Sequence, residues 1–241
     1  MLPDIVRLIA RTIVKLRNQG GDKEEFVELP NGQKRSFKSL ISHHKEFMDD
    51  LAKMEEFDRH YCLLQMCLGD KLPSKSDVMS IYGKHMCNQL AIFGEFVNIG
   101  IGLYLDASAI DHSCDFNTLY VSKGKEIILR TVNLVEDFND LRITYIPNLS
   151  DRTKHRRKEL MDKYFFLCDC MRCQDPISDS LKSSILCPSC NIGCVPALEN
   201  GTCIDCNAQI TPNLIEKHKT ITGKHRCTQM GSKKNLILHN I

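Results

Sequence analysis

Thirteen cysteines among 241 residues, and the way they are spaced, limit what this chain can fold into more than any other feature. Cys168, Cys170 and Cys173 form C-x-C-x-x-C. Three thiolates this close converge on one tetrahedral ion, with Zn–S distances of about 2.3 Å. The charged residues between them, Asp169 and Arg172, do not suit three cysteines that are merely buried in a core. A fourth ligand must come from elsewhere, and Cys114, in Asp111-His112-Ser113-Cys114, is the best candidate. Using it would tie a strand region to the segment that follows a basic helix.

Cys187-Pro-Ser-Cys190 and Cys203-Ile-Asp-Cys206 are two C-x-x-C knuckles separated by 12 residues, the sequence form of a zinc ribbon. Cys194 is a spare thiol that could replace one ligand. The surrounding sequence is too short and polar to make a core alone, so metal binding would supply the folding energy. A redox role for these pairs lacks any thioredoxin-like unit. Two closed four-thiolate sites keep no position for water, so no metal-based catalysis is expected. Cys62, Cys67 and Cys87 fall on helical stretches and are expected in the core; Cys227 has no assignment.

Lys and Arg number 32 and Asp and Glu 30, a formal charge of +2 that gives no global drive toward nucleic acid or an anionic membrane surface. No run of about 18 apolar residues offers a membrane span. Residues 1–17 are apolar at helical spacing, but Arg7, Arg11, Lys15 and Arg17 interrupt them, unlike a signal peptide. An intracellular protein is expected, and in a reducing compartment cysteines serve as metal ligands or core residues rather than disulfides.

Ile5, Leu8, Ile9, Ile13 and Leu16 recur at three- and four-residue steps, so a first helix is expected, ending at Gly20-Gly21. Pro30-Asn31-Gly32 is a turn signal. Phe37, Leu40 and Ile41 start another helix in this reading, and an apolar stripe from Phe47 to Leu68 continues until Gly69. A third helix is expected from Lys75 to Ile92, capped by Ser74 or Ser76. Beyond it Gly94, Gly100 and Gly102 break any helix. Strands are expected at 119–121, 126–132 and 141–145, with a hairpin turn at Lys123-Gly124. The segment from Arg152 to Tyr164 is helical and strongly basic, read as a solvated face rather than a nucleic-acid patch. His43, His44, His60 and His85 read as surface or satisfied core histidines.

An ordered set of motifs then appears: Gly100-Ile-Gly-Leu-Tyr104, Asp111-His-Ser-Cys-Asp-Phe-Asn117, Leu141-Arg-Ile-Thr-Tyr145, Arg156-Arg-Lys-Glu-Leu160 and Tyr164-Phe-Phe-Leu-Cys-Asp-Cys-Met-Arg-Cys173. It resembles the C-terminal half of a SET domain with its post-SET cysteines, specifically that of the SET-and-MYND (SMYD) protein lysine methyltransferases. The resemblance covers residues 2 to 175 and is strongest from 98 to 175. Residues 1–241 hold no match to the family's N-terminal SET strands or its MYND finger.

The resemblance implies an α+β fold, a partial SET domain with a helical insert, a short-stranded β core, a zinc-bound post-SET segment and a small zinc ribbon. Its divisions would be a helical SET-insert-like region at 1–92, the C-terminal SET core at 93–150, the post-SET zinc segment at 151–176, the ribbon-like module at 185–210 and a truncated C-terminal tail at 211–241. It further implies S-adenosyl-L-methionine-dependent methyl transfer to a lysine of a histone or non-histone protein, in nucleus or cytoplasm, with no membrane or direct nucleic-acid partner. Tyr145 would stand at the end of the lysine channel. Asn88, Asp111, His112 and Phe166 would line the cofactor pocket, with Phe165 nearby. Cys114, Cys168, Cys170 and Cys173 would form the zinc site beside it, and Cys187, Cys190, Cys203 and Cys206 the second. Two positions depart from the family pattern. Asp111 replaces an asparagine, so a donor is lost. Phe138-Asn139-Asp140 replaces a Gly-Glu-Glu turn, where Phe is costly if φ is positive. The alternative to an enzyme is a catalytically inactive SET-derived zinc scaffold for protein interaction.

Overall fold

Helix α1, Asp4–Asn18, begins where the Arg7 N–H reaches the Pro3 carbonyl at 3.2 Å and buries Val6, Ile9 and Ile13 along one stripe. The computed structural model describes residues 2–18, 25–94, 97–147, 149, 151–181, 184–196, 201–209, 211 and 213. Gly20-Gly21, Cys227 and nearly all of 211–241 lie outside these. The chain divides into two compact units, Met1–Leu149 with Lys154–Cys170, and Ser150–Thr153 with Met171–Ile241. Among the described residues no helix is long and apolar enough to cross a membrane.

In the first unit, strands β1 (Phe26–Glu28) and β2 (Lys34–Ser36) pair antiparallel around the expected turn, where Gly32 adopts φ 79°. The helix expected from Phe37 does not form. Ser36 and Ser39 exchange side-chain-to-backbone hydrogen bonds at 3.1 and 3.3 Å, which hold a turn instead. The Phe47 stripe divides into α2 (His44–Met48) and α3 (Leu51–Leu68), because the Asp50 carboxylate caps the second helix at the Lys53 N–H. Gly69, at φ 52°, ends it as expected. Helix α3 buries Phe57 and Leu64. Cys62 and Cys67 lie off that face and are exposed, which corrects their placement in the core.

Helix α4 runs Lys75–Asn88 with Ser74 as its cap. It stops short of Ile92 because Asn88 Nδ2 donates to the Lys84 carbonyl at 2.7 Å and the Ile41 carbonyl at 3.1 Å. The chain then continues as strand β3, Gln89–Phe93, antiparallel to β4, Asn98–Leu103. Gly83 lets α4 meet the loop before α2, since a Cβ there would lie 2.1 Å from the Ser42 carbonyl oxygen. Phe57, Phe47 and Tyr82 form the aromatic centre of this core, the Phe57 and Tyr82 rings packing edge-on at 5.2 Å.

Strand β5, Asp111–His112, lies parallel to β8, Arg142–Ile143. Between them β6, Thr118–Lys123, and β7, Glu126–Thr131, form a hairpin that turns at Gly124 with φ 62°. Asn117 joins these elements. Its side chain donates to the Asp140 carbonyl at 2.8 Å and accepts from the Arg142 N–H at 2.8 Å. Phe138–Asp140 is a 3-10 turn capped by Asp137, and Phe138 is not among the positive-φ residues, so the replaced turn carries no such cost. Helix α5, Thr153–Tyr164, buries Arg156 together with Leu160 one turn later. Lys154, Lys158 and Lys163 stay exposed, so the helix has the solvated basic face expected, with Arg156 on its buried side.

In the second unit, α6 (Met171–Gln174) and α7 (Pro176–Leu181) precede a short antiparallel pair, β9 (Ile185–Leu186) and β10 (Cys194–Val195).

Candidate active site and cysteine clusters

Asn88 at the end of α4, Asp111 and His112 on β5, Tyr145 just past β8, and Phe166 after α5 line one cavity of about 300 Å³. Five residues from four separate stretches of sequence thus line the same cavity. A second cavity of about 410 Å³, with Leu90, Ala91, Ile143 and Ile146 among its walls, shares Cys87, Asn88, Ser108, Tyr145 and Tyr164 with the first.

His112 connects the cavity to the first cysteine cluster. The Tyr145 backbone N–H donates to His112 Nδ1 at 3.0 Å. Nδ1 is then an acceptor, so the neutral ring carries its proton on Nε2, 3.3 Å from Cys114 Sγ. Burial first, and the charge of Arg156 second, push the His112 pKa down to about 4. The Tyr145 hydroxyl donates to the Ile110 carbonyl at 2.7 Å, and burial raises its pKa well above the usual phenol range. Tyr164, held up at about 12 by burial, donates to the Tyr145 carbonyl at 3.2 Å. The rings of His112, Tyr145 and Phe166 lie within 6.4 Å of one another.

In the first unit the sulfurs of Cys114, Cys168 and Cys170 all lie within 4.8 Å of one another, with Cys173 three residues further along the chain, and in the second unit so do those of Cys187, Cys190, Cys203 and Cys206. A tetrahedral ion with Zn–S near 2.3 Å needs sulfurs about 3.8 Å apart. Cys114 and Cys168 are 4.0 Å apart, Cys187 and Cys206 3.7 Å, and Cys190 and Cys203 3.8 Å. Both clusters therefore suit zinc. At the first, Arg157 Nε donates to the Cys168 carbonyl at 2.8 Å. At the second, each knuckle ends on an asparagine in the left-handed region, Asn191 at φ 54° and Asn207 at φ 58°. Backbone N–H groups then reach the sulfurs, Gly193 to Cys190 at 3.3 Å and Cys206 to Cys203 at 3.5 Å. Such donors, that of Cys190 foremost, bring the Cys187 thiol down to about 6. Cys194 sits in β10, outside the group of four.

Phe165 does not join Phe166 in the cavity. At φ 61° it turns into the helical core and packs on Phe47 at 5.1 Å and His43 at 4.9 Å. His43, itself at φ 46°, lines the cavity. Sequence reading missed Arg35, Ser108 and Tyr164. Arg35 Nε and Nη2 donate to the side chain and carbonyl of Ser108 at 3.0 and 2.8 Å. Only a tertiary contact brings β2 to this cavity; nothing local to Lys34-Arg35-Ser36 announces it.

No family model matches the chain. Among curated proteins it is 33% identical over 179 residues to "Histone-lysine N-methyltransferase SMYD3" of Mus musculus, covering 74% of this chain and 41% of that one. It is 27% identical over 193 residues to "N-lysine methyltransferase SMYD2-B" of Danio rerio, covering 79% and 42%. It is 30% identical over 221 residues to "SET domain-containing protein 14" of Caenorhabditis elegans, covering 90% and 49%. The chain thus spans less than half the length of each of these relatives. With these identities spread over about three quarters or more of its residues, and with both cysteine clusters assembled, the chain is an SMYD-like protein.

Proposed function

We propose that this chain carries the methyl-transferring portion of an S-adenosyl-L-methionine-dependent protein-lysine N-methyltransferase. The observation that carries this reading is the convergence of Asn88, Asp111, His112, Tyr145 and Phe166 on one cavity that meets a second at Tyr145. The donor set fits the cofactor. Asp111 offers a carboxylate, Asn88 keeps its carbonyl oxygen after donating both N–H groups to backbone, and Phe166 and His112 present aromatic surface. When bound, S-adenosyl-L-methionine supplies an electrophilic methyl group on a sulfonium.

The acceptor is a lysine side chain of a protein, histone or non-histone. Its amine must be neutral, and with a free pKa near 10.4 deprotonation at pH 7 costs about 4.6 kcal/mol, from about 3.4 units at 1.36 each. The larger cavity's apolar walls, Leu90, Ala91, Ile143 and Ile146, reduce that cost by desolvating the ammonium. Tyr145 stays protonated at neutral pH and commits its proton to the Ile110 carbonyl, leaving lone pairs on its oxygen. It acts by accepting an amine N–H and orienting the nitrogen, not as a base. His112 Nε2–H meets Cys114 Sγ at 3.3 Å, so a zinc ion bound through Cys114 would fix the His112 side of the cavity.

The test is calorimetric titration with S-adenosyl-L-methionine, paired with transfer of labelled methyl to core histones and to lysine-containing non-histone proteins. Tyr145→Phe is expected to keep cofactor affinity and lose transfer by about 10- to 100-fold, the loss of an orienting hydrogen bond of about 1.4–2.8 kcal/mol. A wild-type chain that does not bind the cofactor, or a Tyr145→Phe variant with unchanged transfer, would refute it.

A further inference from the structure

The cavity contains two opposite charges that do not meet. Arg35 and Asp111 both line it, and the Asp111 charge acts on Arg35, yet Arg35 has no carboxylate partner among the described residues. A guanidinium has five N–H donors. Arg35 spends its Nε–H and one Nη2–H on Ser108, which fixes the plane of the fork and leaves Nη1 for a ligand. Arg35 is only half-buried, so its remaining donors are open to a ligand while partly shielded from water. Asp111, on strand β5 and lining the same cavity, offers only acceptors, as does the Asn88 oxygen.

A cation and acceptors spaced across one small cavity complement a ligand with its own two charges, an anionic group and a cationic one. An α-amino acid head, carboxylate and ammonium on one carbon, is that ligand. We propose that Arg35 is a cofactor-orienting residue that binds the α-carboxylate of the amino acid moiety, while Asp111 and the Asn88 oxygen accept from its α-ammonium. This rests on the reading of the cavity as the S-adenosyl-L-methionine site and adds the direction in which the cofactor lies. It also gives Asp111 a purpose as a carboxylate, because an ammonium needs only acceptors and a negative charge binds it more tightly than an amide would.

The experiment compares two nucleoside probes by calorimetry on the full chain: S-adenosyl-L-homocysteine, which has the amino acid head, and 5′-methylthioadenosine, which lacks it. Arg35→Met is expected to weaken the first by about 10- to 100-fold, the loss of a charge-assisted hydrogen bond, and to leave the second unchanged. Arg35→Lys keeps the charge without the planar fork, so a smaller loss confined to the first probe is expected; it also serves if Arg35→Met does not fold. Equal affinity of wild type and both variants for S-adenosyl-L-homocysteine would overturn the proposal. So would equal losses for the two probes, which would make Arg35 a support of cavity shape. A wild-type chain that binds neither probe would overturn the cofactor reading itself.

Discussion

Acid should destabilise the helical core through one side chain, His85. The residue is fully buried on α4, its Nε2 is 2.9 Å from Thr12 Oγ1, and Nδ1 has no partner among the described residues. The Thr12 hydroxyl donates to the Leu8 carbonyl at 3.1 Å, so it accepts from Nε2–H and the ring is neutral. Burial, with no compensating carboxylate, lowers the pKa from 6.5 to about 4. The unfolded chain therefore takes up a proton that the folded chain refuses. Stability is full above pH 6.5 and falls as pH drops toward 4, with a slope near 1.4 kcal/mol per unit. The loss is about 2 kcal/mol at pH 5 and about 3 kcal/mol below pH 4.

Carboxylates and zinc release also respond to acid, so the quantity to measure is a difference. Urea unfolding of wild type and His85→Leu at pH 7.5 and pH 5 should show the wild type losing about 2 kcal/mol more than the variant over that interval. The variant starts lower, by about 1–3 kcal/mol, because the Thr12 contact is gone. Parallel pH profiles would refute the reasoning, since they would mean that His85 has the same proton affinity folded and unfolded.

Two further outcomes concern the metal. Cys114→Ser should lower zinc content by one ion per chain and also loosen the Tyr145 backbone, because His112 loses its sulfur partner; unchanged zinc and unchanged thermal stability would remove Cys114 from the site. Gly193→Ala places a Cβ 2.5 Å from Cys203 Sγ, so the second cluster should lose its zinc while the first keeps it, read by metal analysis together with the Cys187 thiol's accessibility to a thiol reagent.

Much of the metal chemistry was legible because ligand spacing is local. C-x-C-x-x-C and paired C-x-x-C already place sulfurs within reach of one ion, and Cys114 followed from its motif. Apolar periodicity likewise located α1, α3 and α4, whose faces bury Val6, Phe57 and Val78. It failed where the outcome depended on a distant partner. Gln89 to Phe93 continues a helical pattern yet pairs with Asn98–Leu103, and Phe37 to Ile41 looks helical yet is held by two serines. Cys62 and Cys67 have core-like chemistry, but their angular position on α3 turns them to solvent.

The sequence by itself determined which cysteines would gather into metal-suited clusters and which ordered motifs the chain shares with its relatives, because both depend on residue type and short-range spacing. Tertiary structure alone decided that Asn88, Asp111, His112, Tyr145 and Phe166 meet around one cavity and that Arg35 joins them. It also decided that His112 hangs between the Tyr145 backbone and a cluster sulfur. Those relations need Asp111–His112 to lie parallel to Arg142–Ile143, a contact across some 30 residues that no local rule encodes.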